Sequence, residues 1–211
     1  MNRRQFSIST GLLLAVTTHG AAAQQPFAEG KHYVALPTRQ PVRDPKQVEV
    51  LEFFAYSCSH CHAFEPALDD WQKKLPKDIL FRRIPVAFRD DFVVHQKLYF
   101  AIEGLNLVEQ LHGKVFNALH VDRQKLQTAE QIAAFASANK VDGKRLLEVM
   151  ESFAVAGKVK QATQLVAGYQ VEGTPSLGVA GRWLTNGTMA GSNARSLAVA
   201  EFLAGLAKKS A

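Results

Sequence analysis

The sequence predicts an α/β fold in which a mixed sheet is flanked by helices and interrupted by an inserted all-helical domain. The first observation is a nearly unbroken apolar run from Val48 to Tyr56, which is typical of a strand covered on both faces. The second is a helical period that lasts from about residue 89 to residue 153, too long for a simple crossover between strands. The third is the return of short apolar runs near Ser176. The predicted order is therefore strand, helix, strand, helical insert, hairpin, helix.

Residues 1–23 have the pattern of a secretory signal peptide and do not belong to the predicted fold. Asn2-Arg3-Arg4 is a basic start, Phe6 to Val16 is a short apolar stretch, and Ala21-Ala22-Ala23 is a small-residue cleavage site. The apolar stretch is too short to be a permanent membrane anchor. The segment Arg3 to Phe6 also matches the twin-arginine export motif. Both export routes lead out of the cytoplasm.

The first part of the fold is predicted over residues 24–88. A polar stretch punctuated by prolines contains one short edge strand, His32 to Leu36. The central strand follows, and after it comes a helix that ends at about Leu75. Its buried side is marked at helical spacing by Phe64, Leu68 and Trp71. Ile79 to Phe88 is predicted to be the next strand.

The helical insert is predicted over residues 89–154 and contains four helices. Apolar residues at helical spacing mark the first two. A capping-box pattern, Thr128-Ala129-Glu130-Gln131, opens the third. Leu146, Met150 and Phe153 mark the fourth.

The second part of the fold is predicted over residues 155–211. A helix from Val155 to Gly168 leads back to the sheet, where Ser176 to Ala180 and Trp183 to Thr185 form a pair of short strands. A closing helix carries apolar residues on one side, namely Val199, Phe202, Leu203 and Leu206.

The only two cysteines of the chain lie where the central strand gives way to the following helix. The first turn of a helix has unpaired N–H groups and a positive dipole end, and both favour a thiolate. Cys58 is therefore predicted to be the reactive sulfur. Cys61, one turn further, can close a disulfide with it, and His60 between them can add positive charge or a hydrogen bond. The pattern indicates a redox-active C-x-x-C.

Three other interpretations compete with a redox site. A structural zinc site needs four ligands, and without a second C-x-x-C the residues His60 and His62 would have to complete it in poor geometry. A second possibility is an inert buried pair of cysteines. The third is haem attachment, because Cys58 to His62 satisfies C-x-x-C-H. The preceding strand argues against haem. So does the shortage of distal ligands, since only Met150 and Met189 remain outside the predicted signal peptide. No cofactor and no metal are expected.

The segment Val50 to Pro66 resembles the active site of the thioredoxin superfamily, specifically of DsbA-type periplasmic disulfide oxidoreductases. Their C-P-H-C motif follows a strand like V-L-E-F-F, and the order of elements along this chain is similar to theirs. The resemblance implies a thioredoxin-like fold over nearly all of the mature chain. Ser59 replaces the proline of that motif. Because the residues between the cysteines tune the redox potential in this family, Ser59 is expected to alter oxidising strength and to leave the chemistry intact.

The resemblance also implies supporting roles outside the motif. Thr174-Pro175 matches the cis-proline that faces the C-x-x-C in thioredoxin-like proteins, with threonine where the best-known DsbA has valine. Glu52, inside the central strand, is implied to be a buried acid that relays protons to Cys61. The competing interpretation is that its side chain reaches water at the sheet edge. Arg83, on the next strand, is a candidate counter-charge for Glu52.

Several other titratable residues are predicted to be solvated. Glu65 on the active-site helix is near enough to influence Cys58, but its side chain is predicted to be solvated. His95, His112 and His120 lie in the helical insert without metal-ligand spacing and are predicted to be surface residues.

These observations predict a monomeric, periplasmic dithiol oxidase that introduces disulfide bonds into exported proteins with free cysteines. By resemblance, a DsbB-like, quinone-linked inner-membrane protein reoxidises it. The alternatives are a periplasmic reductase or isomerase, and a carrier of haem or metal. Superfamily isomerases usually add an N-terminal dimerisation domain, for which the sequence has no room. Removal of the signal peptide lowers the net charge from +6 to +4. Since no Lys/Arg run exceeds two residues, no nucleic-acid binding is expected.

Overall fold

A computed structural model of the protein describes residues 26–209. The predicted signal peptide, residues 1–23, lies outside the described residues. Between residues 26 and 209, no helix is both long enough and apolar enough to cross a membrane.

The sheet has five strands in the spatial order β1-β5-β4-β2-β3. Strand β2 is parallel to β3 and antiparallel to β4, so the sheet is mixed. The central strand β2 is buried from its second residue onward, because helices cover both faces of the sheet there. The strands are β1 Val34–Ala35, β2 Val48–Phe54, β3 Ile79–Pro85, β4 Ser176–Val179 and β5 Trp183–Asn186.

One helix follows β2, and a run of helices separates β3 from β4. The first is α1, which begins directly after Cys58. A single turn of 3-10 helix, Asp90–Phe92, precedes α2. Helix α6 leads back to the sheet, and α8 closes the fold against it. The helices are α1 Ser59–Gln72, α2 Val93–Gly104, α3 Val108–His120, α4 Ala129–Ala138, α5 Gly143–Met150, α6 Phe153–Gly168, α7 Gly187–Ala190 and α8 Asn193–Lys209.

The predicted strands and helices are confirmed, with small changes at their ends. The capping box is present, since the Thr128 hydroxyl accepts from the Gln131 N–H at 3.3 Å and the Gln131 side chain accepts from the Thr128 N–H at 3.4 Å. One helix assignment is wrong. Phe153 does not pack with the fourth helix, because that helix ends at Met150 and the Ser152 side chain caps the start of α6. The Phe153 side chain is 98% exposed.

Two apolar cores, one on each side of the sheet, fix the position of α1. One core packs the sheet against the helices of the insert and includes Phe54, Tyr56 and Cys61. The other packs α1 and α8 against the opposite side and includes Phe64 and Leu68. Helix α1 contributes to both, and this packing holds its N-terminus, with the cysteines, at the end of β2.

Candidate active site

Cys58 is the N-cap residue of α1. Its backbone is extended, with φ −91° and ψ 114°, and its sulfur accepts a hydrogen bond from the backbone N–H of Cys61 at 3.4 Å. The sulfur therefore occupies the position that a serine or aspartate oxygen takes at other helix starts. There it receives N–H groups that have no partner within the helix.

These contacts lower the pKa of Cys58 to about 5. The largest contribution is a hydrogen bond from the Cys61 side chain, and burial of the half-buried sulfur acts against it. The Thr174 side chain and the backbone N–H groups of Cys61 and His60 lower the pKa further. His60 thus acts on the sulfur through its backbone, while its side chain is exposed. At neutral pH, Cys58 is predominantly a thiolate.

Cys61 has the opposite environment. Its side chain is fully buried, and burial raises the pKa of its thiol far above the usual range. The hydrogen bond to Cys58 and the negative charges of Cys58 and Glu52 raise it further. The pair is therefore asymmetric, with one accessible thiolate and one buried thiol.

The Thr174–Pro175 peptide bond is cis, as the resemblance implies. This turn faces the cysteines, since Cys58 Sγ lies 3.3 Å from the backbone oxygen of Thr174, to which its protonated form donates. An open cavity of about 350 Å³ runs beside the pair. It is lined almost entirely by polar residues and small turn residues, namely His60, Gly173, Thr174, Pro175, Ser176, Asn186, Gly187, Thr188, Ser192 and Asn193.

Replacement of Thr174 by valine is expected to raise the pKa of Cys58 by about one unit. Valine keeps the shape of threonine and removes the hydroxyl group, and a hydrogen bond to a charged group is worth roughly 1.5 kcal/mol. The absorbance of the thiolate, followed against pH in the reduced protein, measures this change. Thr174→Ser, which keeps the hydroxyl group, is the matched control. An unchanged titration in Thr174→Val would show that the Thr174 hydroxyl does not lower the pKa of Cys58.

Glu52 is buried completely in β2, so the interpretation that it reaches water is wrong. Its closest polar neighbour is Arg83, whose Nε lies 3.2 Å from Glu52 Oε2. Arg83 pairs with Glu52 across neighbouring strands because the two residues are in register between β2 and β3. Burial, reinforced by the charge of Glu65 and only partly offset by Arg83, raises the pKa of Glu52 to about 8.

The prediction that Glu65 is solvated is wrong. Its side chain is buried, with 7% of the residue's surface exposed. Arg83 reaches across from β3 and places Nη2 at 3.2 Å from Glu65 Oε2 and at 2.9 Å from Asp69 Oδ1. His112 lies on its other side at 3.3 Å. Although burial raises it, the interaction with His112 and the charge of Arg83 lower the pKa of Glu65, so it is ionised beside a protonated Glu52.

The three histidines of the insert are not surface residues. His95 and His112 are 5% and 4% exposed, and His120 is partly buried. Each has a partner, with His95 Nε2 on the Lys125 carbonyl at 3.1 Å and His120 Nε2 on the Tyr56 carbonyl at 2.8 Å. The sequence contained a signal for this burial. His112, Phe116 and His120 recur every four residues, next to the apolar stripe of the same helix.

The site combines a thiolate at a helix start, a buried partner thiol and a facing cis-proline, which together define a thioredoxin-fold dithiol protein. Across residues 26–209, no group of three or more His, Cys, Asp or Glu side chains is arranged to hold a metal ion. A family model described as a DSBA-like thioredoxin domain matches residues 49–198. The chain belongs to this family.

Named relatives agree with the family assignment. The chain is 36% identical over 197 residues to the thiol:disulfide interchange protein DsbA of Pseudomonas aeruginosa, covering 93% of each chain. It is 38% identical over 199 residues to the protein of the same name from Burkholderia cepacia, covering 93% of this chain and 94% of that one. The crystal structure of Pseudomonas aeruginosa DsbA superposes with a TM-score of 0.84 at 35% identity, covering 87% of this chain and 96% of that chain.

Proposed function

We propose that this protein is a periplasmic dithiol oxidase that introduces disulfide bonds into exported proteins through Cys58 and Cys61. The observation that carries the proposal is the asymmetry of the pair. A low pKa makes Cys58 a good leaving group, and its exposure lets a substrate sulfur reach it. A site with this asymmetry gives its disulfide away readily, because the reduced form is the stabilised one.

The reaction consists of two thiol–disulfide exchanges. A substrate thiolate attacks Cys58 Sγ in the oxidised protein, the Cys58–Cys61 bond breaks, and Cys61 leaves with the electron pair and takes up a proton. A second substrate thiolate then attacks the substrate sulfur of the mixed disulfide, and Cys58 leaves as a thiolate. The substrate dithiol loses two electrons and the protein disulfide gains them, so no further oxidant enters this half of the cycle.

Supporting residues have defined tasks in this scheme. The cis-proline turn at Thr174 presents backbone groups to an incoming extended substrate segment. The exposed His60 lines the cavity beside this turn, and the neighbouring Ser59 is also exposed. Glu52 supplies the proton that Cys61 takes up. Arg83 and Glu65 set the charge around Glu52.

Replacement of Glu52 by glutamine is expected to slow the departure of Cys61 roughly tenfold near pH 7. General acids typically contribute 10²–10⁴-fold, but a thiolate can also leave without a proton, so the loss is smaller here. Rapid-mixing measurements of the reaction with a dithiol peptide, repeated across pH, give the rate. Glu49→Gln, on the same strand and also buried, is the matched control. If the pH profile of Glu52→Gln matches that of the unsubstituted protein, Glu52 is not the proton donor to Cys61.

Partners, location and domain division belong to the same proposal. The substrates are exported proteins with free cysteines, and a DsbB-like, quinone-linked membrane protein reoxidises the pair. The protein acts as a monomer in the periplasm after cleavage near Ala23. The thioredoxin-like domain comprises residues 24–88 and 155–211, with residues 89–154 as the inserted helical domain. The helices between β3 and β4 support this division.

The alternatives from the sequence are less compatible with the site. Haem attachment needs both sulfurs to bond with the ring, whereas Cys61 is fully buried and His62 already contacts Asn117 Oδ1 at 3.0 Å. A reductase needs a cysteine pair whose disulfide form is more stable than its reduced form. A Cys58 pKa of about 5 stabilises the reduced form instead.

The oxidase function is tested with the purified, oxidised protein and a reduced dithiol peptide. We expect rapid formation of one peptide disulfide per protein molecule and loss of all activity in Cys58→Ser. Equilibration with glutathione should leave the pair of the protein reduced when most of the glutathione is also reduced. A pair that stays oxidised in that buffer would favour a reductase.

A further inference from the structure

His112 is a buried titratable residue that the scheme above does not use. It lies in α3 and is surrounded by the rings of Phe54, Tyr56, Tyr99 and Phe116 at centroid distances between 5.1 and 5.6 Å. A histidine in a fully aromatic pocket loses hydration, which costs free energy unless both ring nitrogens have partners. Its burial therefore calls for a specific contact.

Both ring nitrogens of His112 face polar atoms. Nδ1 lies 2.8 Å from the Tyr56 hydroxyl, and Nε2 lies 3.3 Å from Glu65 Oε2. The buried Tyr56 hydroxyl keeps its proton, because burial raises its pKa well above 10. A phenol that donates to Nδ1 fixes the tautomer with the proton on Nε2, the nitrogen that lies beside Glu65.

The titratable groups around His112 and its neighbour Glu65 include more acids than bases. Glu65 and Asp69 come from α1, Glu52 from β2 and Arg83 from β3, with the Tyr56 and Tyr99 hydroxyls beside them. One guanidinium thus serves three carboxyl groups, two of them buried. Two carboxyl groups this close cannot both be ionised easily, so one of them keeps a proton.

We propose that His112 is a positioning residue: its Nε2–H stabilises the ionised form of Glu65 and thereby keeps the shared proton on Glu52, next to Cys61. The location of this proton matters because Glu52 acts electrostatically on the Cys61 thiol, whereas Glu65 is held by Arg83 and His112. The insert therefore takes part in the chemistry through one residue of α3.

The test is a direct titration of both carboxyl groups in the full protein. Carbon-13 chemical shifts of the Glu52 and Glu65 carboxyl groups, followed from about pH 4 to about pH 9, report which of them holds the proton. In His112→Phe, which fits an aromatic pocket but cannot donate, we expect the proton affinity of Glu52 to fall about tenfold and that of Glu65 to rise. His112→Gln keeps a donor at the Nε2 position and should restore most of the difference.

His95→Phe is the matched control, because His95 is equally buried in the insert but contacts the Lys125 carbonyl instead of a carboxyl group. It should leave both titrations unchanged. An unchanged Glu52 titration in His112→Phe would overturn the proposal. A second measurement needs no substitution: long-range proton–nitrogen spectra of the unsubstituted protein should show a proton on His112 Nε2. A neutral ring with its proton on Nδ1 would also overturn the proposal, even if His112→Phe does not fold.

This inference rests on the proposed oxidase function for its meaning, but the titrations need no turnover. If the protein is an active oxidase but the Glu52 titration is unchanged in His112→Phe, only the proposed role of His112 is excluded. A shifted titration in a protein that fails to oxidise the peptide would remove only the proposed function.

Discussion

Alkylation of the reduced protein at mildly acidic pH is expected to label Cys58 and to spare Cys61. With a pKa of about 5, roughly nine-tenths of Cys58 is thiolate at about pH 6. Cys61 is almost entirely thiol there, since burial raises its pKa far above the usual range, and it is also inaccessible. Because the thiolate is the reactive form, the two rates should differ by at least about a thousandfold. Peptide mapping of the labelled protein by mass spectrometry measures both.

Two variants show where this selectivity comes from. The Cys61 side chain provides the largest contribution to the low pKa of Cys58, so Cys61→Ala should shift the labelling profile of Cys58 to higher pH. Cys61→Ser, which keeps a donor at that position, should shift it less. Equal labelling of both cysteines in the unsubstituted protein would contradict the assignment of Cys58 as the nucleophile.

The reactive pair could be predicted from the sequence because its geometry is local. An apolar strand, a C-x-x-C and a helical period follow one another without interruption, so covalent connection alone places Cys58 at the first turn of α1. The pairing of Glu52 with Arg83 could also be predicted from the sequence. Two consecutive strands of a sheet usually lie side by side, and these two are in parallel register.

The surroundings of Glu52 could not be predicted in the same way, because they depend on packing between distant segments. Glu65 is buried because α3 covers it and places His112 against it. The helical period of α1 does place Glu65 on the buried side, four residues after Cys61 and three before Leu68, but it does not identify the partners of Glu65. The error over Phe153 has a different cause. A helical period continues through residues 146, 150 and 153, but α5 ends at Met150 and Ser152 begins the next helix.

The reduced protein is expected to be more stable than the oxidised protein at pH 7, contrary to the usual effect of a disulfide. A thiol whose folded pKa is about 5 and whose unfolded pKa is about 8.5 adds stability to the reduced form. That stability is fully present above about pH 8.5 and is lost as the pH falls through about 5. At pH 7 the gap of about two units, reduced for solvent screening of the half-buried sulfur, is worth ~2 kcal/mol.

This amount corresponds to roughly 30-fold in the redox equilibrium, or about 45 mV for a two-electron couple. The entropic benefit of the disulfide opposes it only weakly, because the ring that Cys58 and Cys61 close is very short. The direction is the one described for DsbA, whose reduced form is stabilised. Thermal unfolding of both redox forms at pH 7 and near pH 4 measures the difference, which should nearly vanish at the lower pH. Thr174→Val, with a higher Cys58 pKa, should reduce the difference at pH 7. If the oxidised form melts at the higher temperature at pH 7, Cys58 is not a stabilised thiolate, and the protein would act as a reductase or isomerase.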